Sequence, residues 1–181
     1  EVIVPAYTYV ASVAAAVDQN ARPVFVDSEP TSQGLDPADV RRKITDRTKA
    51  IVVVHTNGYP CDMDAIMAIA REHDLRVIED CSHAHGATYR GRKVGTIGDV
   101  GAFSLQQKKN LSAGCGGVAI TRDEKLAHRM QNWRTYHWEP VGHNWQMSEF
   151  HAAIAGALLP ELDGMNQKRR ANVATLLEAL G

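Results

Sequence analysis

Leu75-Arg76-Val77-Ile78-Glu79-Asp80-Cys81-Ser82-His83-Ala84-His85-Gly86 is the stretch on which the fold turns. A short apolar run delivers two acids, and small and polar residues then break the pattern. Such a run, bounded by charge and a turn, reads as a buried strand of a parallel sheet. An acid at the carboxyl end of such a strand faces the crevice in which α/β proteins gather their ligands.

The same pattern repeats on either side. Strand-like runs fall at Val2–Val4, Pro23–Val26, Ala50–His55, Arg76–Glu79, Val100–Leu105 and Gly117–Thr121. Between them the spacing of apolar residues predicts helices at Tyr9–Asp18, Pro37–Lys43, Asp62–His73, Asp123–His137, Ser148–Leu158 and Leu162–Leu180. Asp62, Asp123 and Ser148 stand where a side-chain oxygen caps a first turn. Asp36 does so ahead of Pro37, a residue suited to the first helical position. Strands alternating with helices predict an α/β fold with a mostly parallel sheet.

The 181 residues can bury one core. With 20 Lys+Arg against 21 Asp+Glu and no long run of one sign, neither nucleic acid nor an acidic membrane surface is implied as a partner. The apolar runs fall far short of the roughly 20 residues of a membrane-spanning helix. Cys61, Cys81 and Cys115 form an odd, sparse set, which predicts a reduced, cytoplasmic protein rather than a disulfide framework. The chain opens inside a strand-like run without an initiating Met and stops just after a helical one. It therefore reads as a piece of a larger protein.

Asp80 is the first candidate for chemistry, with a helix cap or a solvated turn as its plain alternative. The second is the pair Lys108-Lys109, between the strand-like Val100–Leu105 and the glycine-rich Ala113-Gly114-Cys115-Gly116-Gly117. Lysines in a loop are ordinarily solvated charge, but an apolar strand before and a glycine turn after make these less ordinary. An acid and a lysine at the ends of two strands meet the needs of pyridoxal phosphate. The lysine forms the Schiff base, and the acid keeps the pyridine nitrogen protonated so that the ring acts as an electron sink. Ser104, near the end of its strand, offers a hydroxyl to the cofactor phosphate.

Glu79-Asp80-Cys81-Ser82-His83-Ala84-His85-Gly86-Ala87, then Gly95-Thr96-Ile97-Gly98-Asp99-Val100-Gly101-Ala102-Phe103-Ser104, then Lys109-Asn110-Leu111, closely resemble the DegT/DnrJ/StrS family of sugar aminotransferases. The opening Val4-Pro5-Ala6-Tyr7-Thr8-Tyr9-Val10-Ala11-Ser12 is similar too. So are Val54-His55 with Gly58-Tyr59-Pro60-Cys61-Asp62-Met63, Gly142-His143-Asn144-Trp145-Gln146-Met147-Ser148-Glu149 and Arg169-Arg170-Ala171-Asn172. The likeness runs in order along essentially the whole chain. It implies a three-layer αβα sandwich of the type I pyridoxal-phosphate transferase fold, as a large domain truncated at both ends. Residues 1–160 would be that domain, and 161–181 a helix leading toward a C-terminal small domain.

The resemblance implies roles residue by residue. Lys109 matches the Schiff-base lysine, and Lys108 falls on a variable position. Asp80 matches the aspartate on the pyridine nitrogen. His83, where Gln is common, lies near the ring and its phenolic oxygen. Ser104 matches a phosphate contact, and Tyr9 the aromatic that stacks on the ring. The family implies a homodimer, with the segment around Asn144 reaching the partner's cofactor phosphate. The implied activity is transamination of a nucleotide-linked 3- or 4-ketohexose or of a cyclitol ketone, with glutamate or glutamine as donor. Gln106-Gln107 resembles the members that aminate cyclitols. Related dehydratases carry His in place of the lysine, so Lys109 favours amino transfer.

Three departures stand out. Cys115 occupies the place of a family Glu, and Gln146 that of Arg or Asn. The upstream Gly-Ser/Thr phosphate turn and the small domain are absent from the 181 residues. A catalytically degenerate scaffold or sensory module is the rival reading, opposed by retention of Asp80, Ser104 and Lys109 together. Cys81-x-His83-x-His85, with His55 or Cys61, suggests a metal cluster only if the segment is extended, and Gly86 argues against that. Tyr89-x-x-x-Lys93 matches a short-chain dehydrogenase pair in spacing, but Gly91 among basic residues reads as a turn. Trp133, Trp138 and Trp145 and the apolar positions of Met147–Leu159 read as packing.

Overall fold

The computed structural model describes residues 1–135 and 143–181. Among the described residues eight strands are formed: β1 (Val2–Pro5), β2 (Pro23–Val26), β3 (Ala50–Val54), β4 (Arg76–Asp80), β5 (Thr88–Tyr89), β6 (Arg92–Lys93), β7 (Val100–Ser104) and β8 (Gly117–Ile120). The helices are α1 (Ala11–Val17), α2 (Pro37–Lys43), α3 (Met63–Glu72), α4 (Glu124–Arg134), α5 (Glu149–Leu158) and α6 (Leu162–Leu180). All six predicted strands are present, each within a residue of its expected ends. The helix expected to reach His137 ends at Arg134, because Thr135 leaves helical geometry and bridges to Asn144; His137, Trp138 and Gly142 lie outside the described residues.

Six strands make one sheet in the order β2-β1-β3-β4-β7-β8. The β1–β2, β1–β3, β3–β4 and β4–β7 pairs are parallel, and β8 closes one edge antiparallel to β7. After β1 the chain steps to one side to form β2, then returns past β1 to form β3. That reversal is a topological switch point, and crevices open beyond the strand ends at such places.

Residue alternation assigns the two faces. Ile51, Val53 and Val77 pack with Val40 of α2 and with Met63, Ile66 and Ile69 of α3. Val4, Val52 and Val54 pack on the opposite face with Val13 of α1. Helices thus cover both faces, which is why β3 reads as an unbroken apolar run. A third cluster joins Leu105, Leu111 and Ala113 to Leu158 of α5 and to Leu162 and Met165 of α6.

Asp36, Asp62 and Asp123 cap their helices, accepting from Ala38, Ala65 and Lys125 amides respectively. Ser148 corrects the expectation. It occupies the N-cap position of α5, but its hydroxyl lies 2.6 Å from His151 Nδ1 and caps no amide. The turn expected at Gly91 is the tip of a two-residue hairpin between β5 and β6. Both tip residues are left-handed, Arg90 at φ 48° and Gly91 at φ 79°, the geometry that suits hairpin twist. The two-residue strands beside it were too short to show in the apolar pattern.

Candidate active site

Sheet register brings Asp80 and Ser104 to one end of the sheet. Val54 pairs with Asp80, and Asp80 with Ala102, so β3, β4 and β7 end nearly flush. Partners in register point to one face, and so does every second residue. Asp80, Ala102 and Ser104 therefore share a face, the one that α1 covers. Glu79 faces the opposite core.

Asp80 is half-buried and both of its oxygens are engaged. Oδ1 accepts the Ser82 amide at 3.0 Å, and Oδ2 accepts the Ser12 hydroxyl at 2.8 Å. Thr8 Oγ1 lies 2.9 Å from Ser12 Oγ. Ser104 Oγ weakly accepts the Gln106 amide at 3.4 Å, which leaves its proton free to donate. Tyr9, on the loop that leaves β1, is 77% exposed. His83 is exposed in the turn after β4, and its imidazole has no hydrogen-bond partner among the described residues.

The lysine loop is a built structure. Leu105 and Gly116 bond through their backbones, Ala113 N–H returns to Leu105, and Gln107 N–H to Gly114. Gln106, expected as a marker of substrate class, uses its side-chain oxygen on the Lys108 amide at 2.9 Å. Arg169 of α6 donates to the Asn110 carbonyl at 3.3 Å. Lys109 is half-buried and Lys108 exposed, and among the described residues neither forms an ion pair within 4.0 Å.

His85 ties this loop to the Asp80 turn. Its Nε2–H donates to the Ser104 carbonyl at 2.8 Å, which makes Nδ1 an acceptor, and that atom is buried without a partner. Burial lowers the His85 pKa most, the Ser104 bond opposes this, and the nearby charges of Lys109 and His83 lower it further. The ring is thereby held neutral at ordinary pH.

Beneath the site lies a network that sequence reasoning missed. Glu79 and His55 are both fully buried, with Nε2 and Oε2 3.0 Å apart. His55 Nδ1 accepts the Cys61 amide at 3.2 Å, so the ring proton is on Nε2 and points at Glu79. Glu79 also accepts the amides of Gly95 at 2.7 Å, Ile97 at 2.7 Å and Gly98 at 2.6 Å. Burial pushes its pKa up, but His55 and the three amides outweigh that and hold it below the usual carboxylate range. The Gly95–Gly98 stretch of the family motif is thus the cradle of a carboxylate. An acid at an alternate position of an apolar strand was the one available signal.

His55, Glu79 and Cys81 place their ligand-type atoms within 4.8 Å of one another. Both imidazole nitrogens and both Glu79 oxygens are already bonded, so the His55–Glu79 pair is a hydrogen-bond hub with the Cys81 thiol beside it. The suspected Cys81-His83-His85 group separates, because the chain turns there and only Cys81 and His85 are buried. Tyr89, the other rival candidate, donates its hydroxyl to Asp62 at 2.8 Å.

Asn144 is not brought to this cluster. It is exposed, bridges in strand fashion to Thr135, and accepts from Gln146 at 3.3 Å. It makes no hydrogen bond to Asp80, Ser104 or Lys109. The neighbouring Trp145 and Met147 line an apolar concavity of about 1150 Å³ between β7, β8 and α4 that contains no candidate catalytic group. Cys115 is exposed and unpaired.

The group that sequence chemistry implies has an anionic phosphate, a flat ring, a basic ring nitrogen and an aldehyde. The residues fit it. Tyr9 leaves an aromatic face uncovered, the Ser104 hydroxyl has a proton to give, Asp80 has acceptor capacity on the same face, and Lys109 is held in no salt bridge.

Comparison with known proteins shows the family. The model of the DegT/DnrJ/EryC1/StrS aminotransferase family matches residues 1–181. The L-glutamine:2-deoxy-scyllo-inosose aminotransferase of Micromonospora echinospora is 45% identical, over 100% of this chain and 47% of that protein. The UDP-N-acetyl-3-dehydro-alpha-D-glucosamine 3-aminotransferase of Acidithiobacillus ferrooxidans is 43% identical, over 94% of this chain and 48% of its own length. Among solved structures, the aminotransferase from Psychrobacter cryohalolentis superposes with a TM-score of 0.93 at 41% identity, covering 98% of this chain and 50% of that one. The chain spans about half the length of the curated relatives it matches.

Proposed function

The chain belongs to the DegT/DnrJ/EryC1/StrS aminotransferase family, and we propose that its protein uses pyridoxal 5′-phosphate to place an amino group on the ketone of a cyclitol, with glutamine as donor. The placement of Asp80 and Ser104 on one face at the carboxyl ends of β4 and β7, with Lys109 in the loop that follows β7, carries this reading. Gln106-Gln107 and the inosose aminotransferases among the relatives support the cyclitol. The 3-keto-sugar relative supports a nucleotide-linked ketohexose as the second acceptor, and glutamate is the second donor.

When bound, the cofactor supplies an aldehyde that accepts an amino group and a protonated ring that withdraws electrons from the breaking C–H bond. Asp80 would offer a carboxylate oxygen to the ring N–H, and Tyr9 would offer a face to the ring. Ser104 would donate to the phosphate, and His83 would lie toward the phenolic oxygen. Lys109 Nζ would anchor the cofactor and would carry the substrate proton, a task suited to a half-buried amine that has no carboxylate partner among the described residues. Asn144 would act in the partner's site within a homodimer. Residues 1–160 would form part of the cofactor domain, with 161–181 running toward a further domain. Three unpaired thiols suit the reducing cytoplasm, and no helix among the described residues is long and apolar enough to cross a membrane.

The test is the absorption spectrum of the full-length protein with pyridoxal phosphate. Wild type and Lys108→Ala should show a long-wavelength band bleached by borohydride, and Lys109→Ala should not. Glutamine with 2-deoxy-scyllo-inosose should then turn over faster than glutamine with a nucleotide-linked 3-keto sugar. A wild-type protein without the band would overturn the enzyme reading and leave a degenerate scaffold.

A further inference from the structure

Asp80 receives a hydrogen bond from a part of the chain with no assigned role. Ser12, 6% exposed near the start of α1, is 68 residues away in sequence and lies 2.8 Å from Asp80 Oδ2. A serine hydroxyl has one proton, and the carboxylate is the acceptor, so that proton points at Asp80. The 2.9 Å contact between Thr8 Oγ1 and Ser12 Oγ is then the threonine donating to the serine. The order is fixed as Thr8 to Ser12 to Asp80, and each donation strengthens the next.

The N-cap of α1 is Val10, a residue with no capping side chain, and no side-chain hydrogen bond caps the helix. Thr8 and Ser12 flank that start with hydroxyls of the kind that cap helices, yet both are committed elsewhere. A sequence that departs from a local rule in this way commonly does so at a functional site. The second donor to Asp80, the Ser82 amide on Oδ1, belongs to the chain's own turn and fixes only one oxygen. Ser12 fixes the other, and with it the plane of the carboxylate.

We propose that Ser12 and Thr8 are positioning residues that hold the Asp80 carboxylate in the orientation required by the cofactor's ring N–H. This rests on the function proposed above. The pair also binds the crevice wall together. Tyr9, whose ring faces the cofactor in that reading, lies between Thr8 and Ser12 in sequence, so one short segment sets both the stacking face and the acid.

The experiment is a titration of cofactor-free full-length protein with pyridoxal phosphate, followed by absorbance. Ser12→Ala should weaken binding about tenfold, the loss typical of a hydrogen bond to a charged group. Ser12→Thr should restore affinity to within about twofold of wild type, since the hydroxyl is retained. Thr8→Val should weaken binding about threefold alone and have no further effect in the Ser12→Ala background, because it acts only through Ser12. The cofactor-free melting temperature of Thr8→Val should stay at the wild-type value, which separates positioning from folding. Wild-type binding with unchanged affinity in Ser12→Ala, or additive losses in the double variant, would overturn the relay alone. Failure of the wild type to bind would overturn the function on which it rests.

Discussion

Replacing Glu79 with Gln keeps the shape of a fully buried side chain and changes only its hydrogen-bonding capacity. The carboxylate accepts four bonds, two on each oxygen: Ile97 and Gly98 amides on Oε1, and Gly95 amide and His55 on Oε2. Gln presents one oxygen and one NH2, so two donors must face a donor whichever way it sits. If the NH2 faces His55, the imidazole cannot change tautomer to relieve the clash, because its Nδ1 already accepts from Cys61. At about 1–3 kcal/mol for each stranded donor, the cost is about 3–4 kcal/mol. Hydrogen exchange of a peptide spanning residues 94–100, read by mass spectrometry, reports this locally. Protection in Glu79→Gln should fall on the order of a hundredfold, at about 1.4 kcal/mol per tenfold. The pH dependence has a definite sign. A carboxyl whose folded pKa lies below its ordinary 4.5 contributes fully above that value and loses its contribution as pH falls through the lowered one. The difference between wild type and variant should therefore be constant near neutrality and close in acid. Protection unchanged at neutral pH would refute the view that Glu79 holds the Gly95–Gly98 turn.

Two further outcomes follow from packing. Gly95 sits at φ 84°, and a Cβ there would fall 2.6 Å from the Phe103 ring, whereas at Gly91, φ 79°, nothing lies within 4 Å. Gly95→Ala should lower stability by about 2–4 kcal/mol against about 1 kcal/mol for Gly91→Ala, measured by urea unfolding, and equal costs would refute the clash. Thiol titration should find Cys115 reactive in the native protein, and Cys61 and Cys81 only after denaturation. Both of the latter are fully buried, and burial pushes the Cys61 thiol up to about 11 and the Cys81 thiol upward likewise. Rapid native labelling of either would contradict that burial.

The sequence by itself determined the six strands of the main sheet and the helices between them, though not the short β5–β6 hairpin. Runs such as Ala50–Val54 need helices on both sides because every residue in them is apolar, and Asp36, Asp62 and Asp123 announce helix starts through contacts two or three residues away. Asp80 and Lys109 were legible as chemistry because each follows a strand, and strand ends face the crevice whatever the rest of the fold does. Their roles came from resemblance. Ser148 was misjudged because a hydroxyl at a helix start has rival partners, and the His151 imidazole engages it instead of an amide. Ser12 beside Asp80, His55 beside Glu79, and three amides around that same acid were decided only by the tertiary structure. Local periodicity reports which face of a strand a residue occupies. Which distant residue meets it there depends on the order and register of strands β1, β3, β4 and β7, and those are fixed by the packing of the whole sheet.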